Sequence, residues 1–384
     1  MSAFVTQDHA ALAVSVTVLA LGFSFVLLRR RVTAARSRRV LLVTGWLVAC
    51  LGTLLVLGAI AARVGWTQFN ARHPPPGRLV DVGGYRIHVL CEGPTTPGPA
   101  VLWIPGGYGQ GWWMKPLHDG LKAERRSCLI DRAGTGWSDA GPDPRRVQTI
   151  VQEFERALQG AGERQPFVIV GHSLGGLLAV NFAALHPQRV AGVVALDPTP
   201  QALLPEAVRY WIGSPEPTTW KAWAVQFGAT TLLPALNPLN TPAWQSQHAA
   251  LKPGIDVLAK LEERPSALVA AGPASYWAMA DAHGVIRHPG SLGALPLLSI
   301  VQDQDPDSAQ SLEQAQRWMR LENSFEVANW RALTKAARQE YPAFSRRGSL
   351  KVAPAGTTHN FPIERPDFVL TEVRQFIATL PTLP

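Results

Sequence analysis

The stretch Gly171-His172-Ser173-Leu174-Gly175 follows an apolar, β-branched run at 167–170 and precedes a helix-length apolar segment at 174–186. These flanking patterns predict a buried strand, then a tight turn, then a helix. A serine between glycines at such a turn fits the G-x-S-x-G pattern, in which a strained turn lifts the hydroxyl above the end of a strand. The pattern alone occurs by chance, but in this setting it predicts that Ser173 is a nucleophile.

Further apolar runs alternate with helix-length segments on both sides of this turn. Such alternation predicts an α/β fold with about eight strands, most of them parallel, and helices on both faces of the sheet. The predicted strands are 79–82, 85–91, 100–104, 127–130, 167–170, 190–196, 297–301 and 350–353. Because ligands of such sheets bind at the carboxyl ends of the strands, we expect the chemistry just after each strand.

A serine hydroxyl needs a base to take its proton and a third group to orient that base. On this strand–turn–helix arrangement the chain order is serine, acid, histidine. His359 follows the last predicted strand and precedes an amphipathic helix at 366–380, so it is the predicted base.

The choice of acid is less constrained. Asp305, directly before Pro306 in the segment after 297–301, is the first choice, and Asp303 is the alternative. Asp197, just after the strand at 190–196, is a third candidate, although a cap at a strand end is its simpler interpretation.

A developing oxyanion requires preorganised N–H donors. The backbone N–H of Leu174, next to the nucleophile, is one predicted donor, and that of Gly107, after the third strand, is the other. Tyr108, Trp112 and Trp113 adjoin this loop and are predicted to contact substrate.

The positive charge of the chain is concentrated near its N-terminus. Lys+Arg total 36 against Asp+Glu 28, a formal charge of +8. Residues 1–63 hold seven Arg and one acid, a balance of +6, so that only +2 remains for the rest of the chain. The main domain therefore has no charge excess that would favour nucleic acid as a partner.

Two uncharged segments, 10–28 and 40–62, flank an arginine-rich stretch at 29–39. Each is long enough to cross a bilayer as a helix. A cleavable signal peptide would carry its basic residues before the apolar run, whereas here they follow it. The positive-inside rule predicts a cytoplasmic loop at 29–39 in an inner membrane, with everything after residue 62 outside the cytoplasm. Residues 63–78, with three prolines, are predicted to be a linker to a domain at 79–384.

Over residues 79–380 these motifs resemble the α/β-hydrolase superfamily, especially its serine-dependent esterases, lipases and peptidases. The resemblance extends to the turn Asp131-Arg132-Ala133-Gly134-Thr135-Gly136-Trp137-Ser138, which is usually structural in that family, and to a membrane-anchored bacterial subgroup. Two positions depart from the family: Pro105 stands where many members have His, and Gln302 where Gly commonly begins the acid loop. Dehalogenases and epoxide hydrolases of the family use an aspartate nucleophile, so Ser173 argues against both chemistries.

The resemblance implies a helical cap at about 198–295, over the active site. It also makes the strands that carry Cys91 and Cys128 neighbours, so a disulfide between them is a hypothesis that an extracytoplasmic location would allow. No Cys/His spacing predicts a metal site, and no cofactor is expected.

The expected function is hydrolysis of a carboxylic ester or related acyl bond through an acyl-enzyme. The expected partners are a small hydrophobic acyl substrate and the lipid bilayer, with no obligatory protein partner evident. Alternatives are a peptidase or a cofactor-free peroxidase that uses the same residues, and a catalytically silent binding module.

Overall fold

The computed structural model describes residues 2–381, except 108, 202–218, 265, 269–285, 287, 304, 306, 310, 314, 315 and 317–323. Its strands are β1 (Arg78–Asp81), β2 (Arg86–Glu92), β3 (Ala100–Ile104), β4 (Ser127–Ile130), β5 (Phe167–His172), β6 (Val190–Leu196), β7 (Leu297–Val301) and β8 (Gly348–Val352). Its α-helices are α1 (Ser2–Leu28), α2 (Ala35–Arg72), α3 (Lys115–Leu121), α4 (Val147–Gly160), α5 (Leu174–Leu185), α6 (Thr219–Gln226), α7 (Ala229–Leu232), α8 (Pro242–Gln247), α9 (Ile255–Glu262), α10 (Ser324–Ala343), α11 (Phe361–Glu364) and α12 (Pro366–Ala378).

The strands form one sheet in the order β1-β2-β4-β3-β5-β6-β7-β8. β2 pairs antiparallel with β1 and β4, and the pairs from β4 onward are parallel. The predicted α/β fold is confirmed. The β1–β2 turn is held by Asp81, whose Oδ1 accepts hydrogen bonds from the N–H groups of Gly83 and Gly84.

Alternation along the central strands divides the core between the two faces of the sheet. Leu102 of β3 and Ile169 of β5 pack with Phe154 of α4 and with α5 on one face. Val101 of β3 points to the other face, where residues of α3 and α12, such as Phe376, cover the sheet. This two-sided burial holds the carboxyl ends of β3, β5 and β6 in a fixed relation.

Cys91 of β2 lies opposite Cys128 of β4 in the antiparallel register. The two residues form a disulfide, which links the edge hairpin β1–β2 to the parallel part of the sheet.

The two N-terminal helices are long and apolar enough to cross a membrane. They pack closely through small residues: a Cβ added to Gly22 would overlap the backbone of Ala49, and one added to Gly52 would overlap Leu19. Small residues that let backbones approach are typical of contacts between membrane helices.

The second helix is longer than the predicted span. It continues through residues 63–72, which we expected to belong to the linker, and ends at Arg72. The reason is local, because the prolines that break the helix begin only at Pro74. The connection to β1 is therefore only residues 73–77.

Candidate active site

The turn between β5 and α5 presents Ser173 in a strained backbone conformation. Ser173 has φ 53° and ψ −120°, a region that non-glycine residues rarely occupy. A Cβ on Gly171 would overlap the carbonyl oxygen of Gly175, and a Cβ on Gly175 would overlap that of Ile104. Both glycines of the pattern are therefore sterically required.

The end of β6 supports this turn. The N–H of Ser173 donates to the carbonyl of Leu196 at 3.0 Å, and the N–H of Thr199 donates to the carbonyl of Ser173 at 3.1 Å. The segment that follows β6 is thus held against the serine.

His359 pairs with Asp197, the residue directly after β6. Its Nδ1 lies 2.6 Å from Oδ2 of Asp197. The other carboxylate oxygen of Asp197 accepts the N–H of Gln302 at 3.0 Å. With its proton on Nδ1, the imidazole keeps Nε2 as the acceptor that a general base needs. Asp197 also has a positive φ of 40°, a strained conformation of the kind that clusters at functional sites.

The structure thus pairs His359 with Asp197, and the predicted acid Asp305 and its alternative Asp303 make other contacts. Oδ1 of Asp305 accepts the N–H of Asp307 at 3.0 Å, as the cap of a local turn. Oδ2 of Asp303 accepts the N–H of Gly356 at 3.1 Å, which fastens the loop that leads to His359.

The pairing spans the sheet edge. Asp197 follows β6 and His359 follows β8, with β7 between these two strands, so the loop after β8 reaches across the end of β7. The sequence did contain the relevant signal, since Asp197 directly follows a predicted strand.

His172 positions the loop of the predicted base. Its Nε2–H donates to the carbonyl oxygen of His359 at 2.8 Å, and the two rings lie 4.7 Å apart. Burial, assisted by the neighbouring His359, lowers the pKa of His172 to about 3. His172 is therefore neutral at physiological pH and acts as a fixed donor. Sequence analysis assigned it no role.

Arg132 fixes the loop that carries Gly107. Its buried guanidinium donates to the carbonyl oxygens of Pro105 at 3.1 Å, of Gly109 at 2.9 Å, and of Gly107. Burial lowers the pKa of Arg132 to about 10, so it remains charged at neutral pH. Arg132 thereby fixes the backbone on both sides of the peptide that carries the N–H of Gly107, the predicted oxyanion donor. That donor, with the N–H of Leu174, stays a prediction.

Asp131 holds the turn that presents Arg132. Its Oδ1 accepts the N–H of Gly111 at 2.6 Å, and its Oδ2 contacts Nδ1 of His88 at 2.8 Å. A Cβ on Gly136 would overlap the same carboxylate. The turn that family resemblance marks as structural thus supports the Gly107 loop directly.

The predicted substrate contacts Trp112 and Trp113 lie against the helices between β6 and β7, the segment predicted to be the cap. Trp113 packs 5.6 Å from Trp244 and donates from its indole nitrogen to Glu262 of α9. Trp112 packs on Gly254, where a Cβ would lie 2.6 Å from its indole nitrogen. Both join the cap to the main domain, and contact with substrate stays a prediction. Tyr108 lies outside the described residues.

Two groups of side chains have the spacing of metal ligands among the described residues. One contains Cys91 and Cys128, whose sulfurs are consumed in the disulfide. The other joins Glu92, His118 and Asp119, but Lys122 forms ion pairs with both of its carboxylates. Neither group presents an open coordination site.

A family profile described as alpha/beta hydrolase fold matches residues 99–311, more than half of the chain. The chain belongs to the α/β-hydrolase fold family. The sheet order and the serine turn agree with this family.

Individual relatives match over shorter stretches. The uncharacterized protein YbdG of Bacillus subtilis is 28% identical over 121 residues, 32% of this chain and 37% of that protein. Epoxide hydrolase B of Mycobacterium tuberculosis is 33% identical over 143 residues, 36% of this chain and 38% of that protein. The chain thus matches less than two-fifths of the length of either relative.

Among solved structures, Cfl2 of Burkholderia cenocepacia superimposes with a TM-score of 0.53. The alignment is 21% identical and covers 78% of this chain and 95% of Cfl2. At this identity the likeness shows the fold alone.

Proposed function

We propose that the protein is a membrane-anchored serine hydrolase that cleaves a carboxylic ester or a related acyl bond. The observation that carries this proposal is the contact of His359 with Asp197 beside the strained Ser173 turn. A serine, an imidazole and a carboxylate at the carboxyl ends of strands of one sheet are the parts that acyl transfer needs.

In the proposed mechanism the Oγ of Ser173 attacks the acyl carbonyl while Nε2 of His359 takes the hydroxyl proton. Asp197 holds the imidazole in the required tautomer and stabilises the imidazolium that forms. The N–H groups of Gly107 and Leu174 stabilise the oxyanion. His359 then gives its proton to the leaving alkoxide, and the C–O bond breaks to leave an acyl-enzyme. Water, deprotonated by His359, releases the acid and restores Ser173.

The elbow residue separates this proposal from epoxide hydrolysis. An epoxide hydrolase of this family opens its substrate with an aspartate at the elbow, and this chain has Ser173 there. The similarity to epoxide hydrolase B is therefore taken to reflect common descent of the fold rather than a shared substrate.

Membrane anchoring is proposed from α1 and α2, with the arginine-rich stretch at 29–39 in the cytoplasm. The Cys91–Cys128 disulfide supports a main domain outside the cytoplasm, where disulfides persist.

A fluorophosphonate probe tests the proposed chemistry, because it labels only an activated serine. We expect the wild type to be labelled, and Ser173→Ala and His359→Ala to remain unlabelled. Hydrolysis of a soluble short-chain ester should be lost in the same variants. An unlabelled but folded wild type would instead support the silent binding module.

The same assay identifies the acid. Asp197→Asn should lower kcat by about 10³–10⁴-fold because the imidazole loses its orientation. Asp305→Asn is the matched control and should retain wild-type turnover. The reverse ranking of the two variants would refute the role given to Asp197.

A further inference from the structure

The cap touches the second apolar helix at the level of its uncharged segment. A Cβ on Gly58 of α2 would overlap the carbonyl oxygen of Phe227, which follows α6. In return, a Cβ on Gly228 would lie 2.6 Å from the carbonyl oxygen of Gly58. The two backbones therefore meet without intervening side chains, and the cap has a fixed height along α2.

That height falls inside the predicted span. Gly58 precedes Arg63, the first charged residue after the uncharged segment 40–62, by five positions. At 1.5 Å per residue this places Gly58 about 7 Å below the level of Arg63. Interfacial helices typically bury their apolar faces ~5–10 Å into the boundary between headgroups and acyl chains.

Polar contacts lie nearer the C-terminal end of α2. Nζ of Lys260, on α9, lies 4.8 Å from the ring centre of Trp66. Tryptophan and lysine side chains are typical of the membrane–water boundary. The cap thus shows a polar level beside Trp66 and an apolar level beside Gly58.

The cap segments on either side of this contact expose large hydrophobic side chains, and Thr231, directly before two of them, lies against Gly65 of α2. The exposed fractions are 69% for Trp220, 62% for Leu232, 60% for Leu233 and 58% for Leu236. No Asp, Glu, Lys or Arg occurs between Lys221 and Lys252. Clustered exposed apolar side chains mark a surface that contacts something other than water.

We propose that these four residues, the apolar cap edge, insert into the outer leaflet of the bilayer that α1 and α2 cross. The bilayer is the occupant because the edge adjoins an apolar membrane helix between the levels of Gly58 and Gly65, where acyl chains meet headgroups in the proposed topology. The inference rests on the proposed anchoring but not on the proposed catalysis.

Depth-dependent quenching tests this insertion. Cys50, the single free cysteine, is first changed to Ser, and Leu233→Cys then supplies one thiol for an environment-sensitive NBD label. The full-length protein is reconstituted alone into phosphatidylcholine vesicles that contain lipids with a doxyl quencher on the acyl chain. We expect a blue-shifted emission and loss of most of the fluorescence.

The matched control is Thr95→Cys in the same background. Thr95 is exposed in the loop between β2 and β3, at the amino end of β3 and away from the cap. Its label should keep a water-like emission that the lipids do not quench. Equal and weak quenching at positions 233 and 95 would overturn the inference.

Extraction with alkaline carbonate separates this result from a failure of the anchor. Protein that stays in the membrane but is not quenched at position 233 contradicts the insertion alone. Protein released by carbonate contradicts the anchoring on which the insertion rests. The protein is reconstituted alone, so the label cannot be buried against another protein species. A label buried against a second copy of this chain would be shielded from the lipid quencher, so strong quenching also excludes that arrangement.

Discussion

At the scale of single residues, Arg132 links the turn after β4 to the loop that carries Gly107. Three carbonyl oxygens of that loop share its guanidinium. Arg132→Met would leave them without their donor and let the loop relax, which should lower kcat by about 10²-fold through loss of an oxyanion donor. KM should change much less, because the N–H group that the loop presents stabilises the oxyanion chiefly in the transition state.

Arg125→Met is the control for this prediction. Arg125 also donates to a backbone carbonyl, that of Pro99, but at the amino end of β3. It should retain wild-type kinetics, which are measured with the same soluble ester. A normal kcat in a folded Arg132→Met variant would contradict the role given to Arg132.

Residue identities predicted Ser173 and His359 because each stands at a position where chain order and local pattern coincide. They did not predict the partner of His359. That choice depends on how far the loop after β8 reaches across the sheet edge, and spacing along the chain does not reveal it. The sequence placed Arg132 in a turn, but its hydrogen bonds to three carbonyl oxygens depend on loop geometry that residue spacing does not reveal.

At the scale of elements, α9 brings a buried carboxyl against Trp113. Burial raises the pKa of Glu262 from 4.5 to about 7, and the hydrogen bond from Trp113 acts in the opposite direction. The folded protein therefore holds the Glu262 proton at pH values where the unfolded chain has released it. The contribution of this proton to the free energy of unfolding is fully present below about pH 4.5 and is lost as the pH rises toward 7.

Glu262→Gln should remove this pH dependence, since the amide stays neutral and can still accept from Trp113. The free energy of unfolding of the variant, relative to wild type, should rise by up to ~3 kcal/mol between pH 4.5 and pH 8, at 1.36 kcal/mol per pKa unit. Denaturant unfolding at both pH values measures it. Asp256→Asn, an exposed position on the same helix, should keep the wild-type slope. Parallel pH profiles for wild type and Glu262→Gln would show that the carboxyl ionises normally.

The strands were predicted well because two-sided burial gives each of them an apolar run that is bounded by turn residues. The bounds of β3, β4, β6 and β7 agree with the sequence interpretation. The end of α2 was predicted too early. Hydropathy falls after residue 62, which suggested the end of the helix. A helix can continue until a helix-breaking residue, and the first such residue here is Pro74.

At the scale of the whole molecule, the charge distribution is the basis of the proposed membrane topology. The stretch 29–39 carries six arginines, and the main domain carries little net charge. A reporter that is active only in the periplasm, such as alkaline phosphatase, should therefore be active when fused after Pro384. The same reporter fused within 29–39 should be silent. The opposite pattern would reverse the proposed topology.

The Cys91–Cys128 disulfide has a mechanical consequence for a domain with the proposed membrane anchor. Tension on the anchor enters the sheet through the short connection at 73–77 and the edge strand β1, so it acts to peel the β1–β2 hairpin from β4. The crosslink stops that unzipping at Cys91, and load passes covalently to β4. β3 and β5 are thereby shielded from the tether, and the serine turn keeps its geometry while the anchor moves.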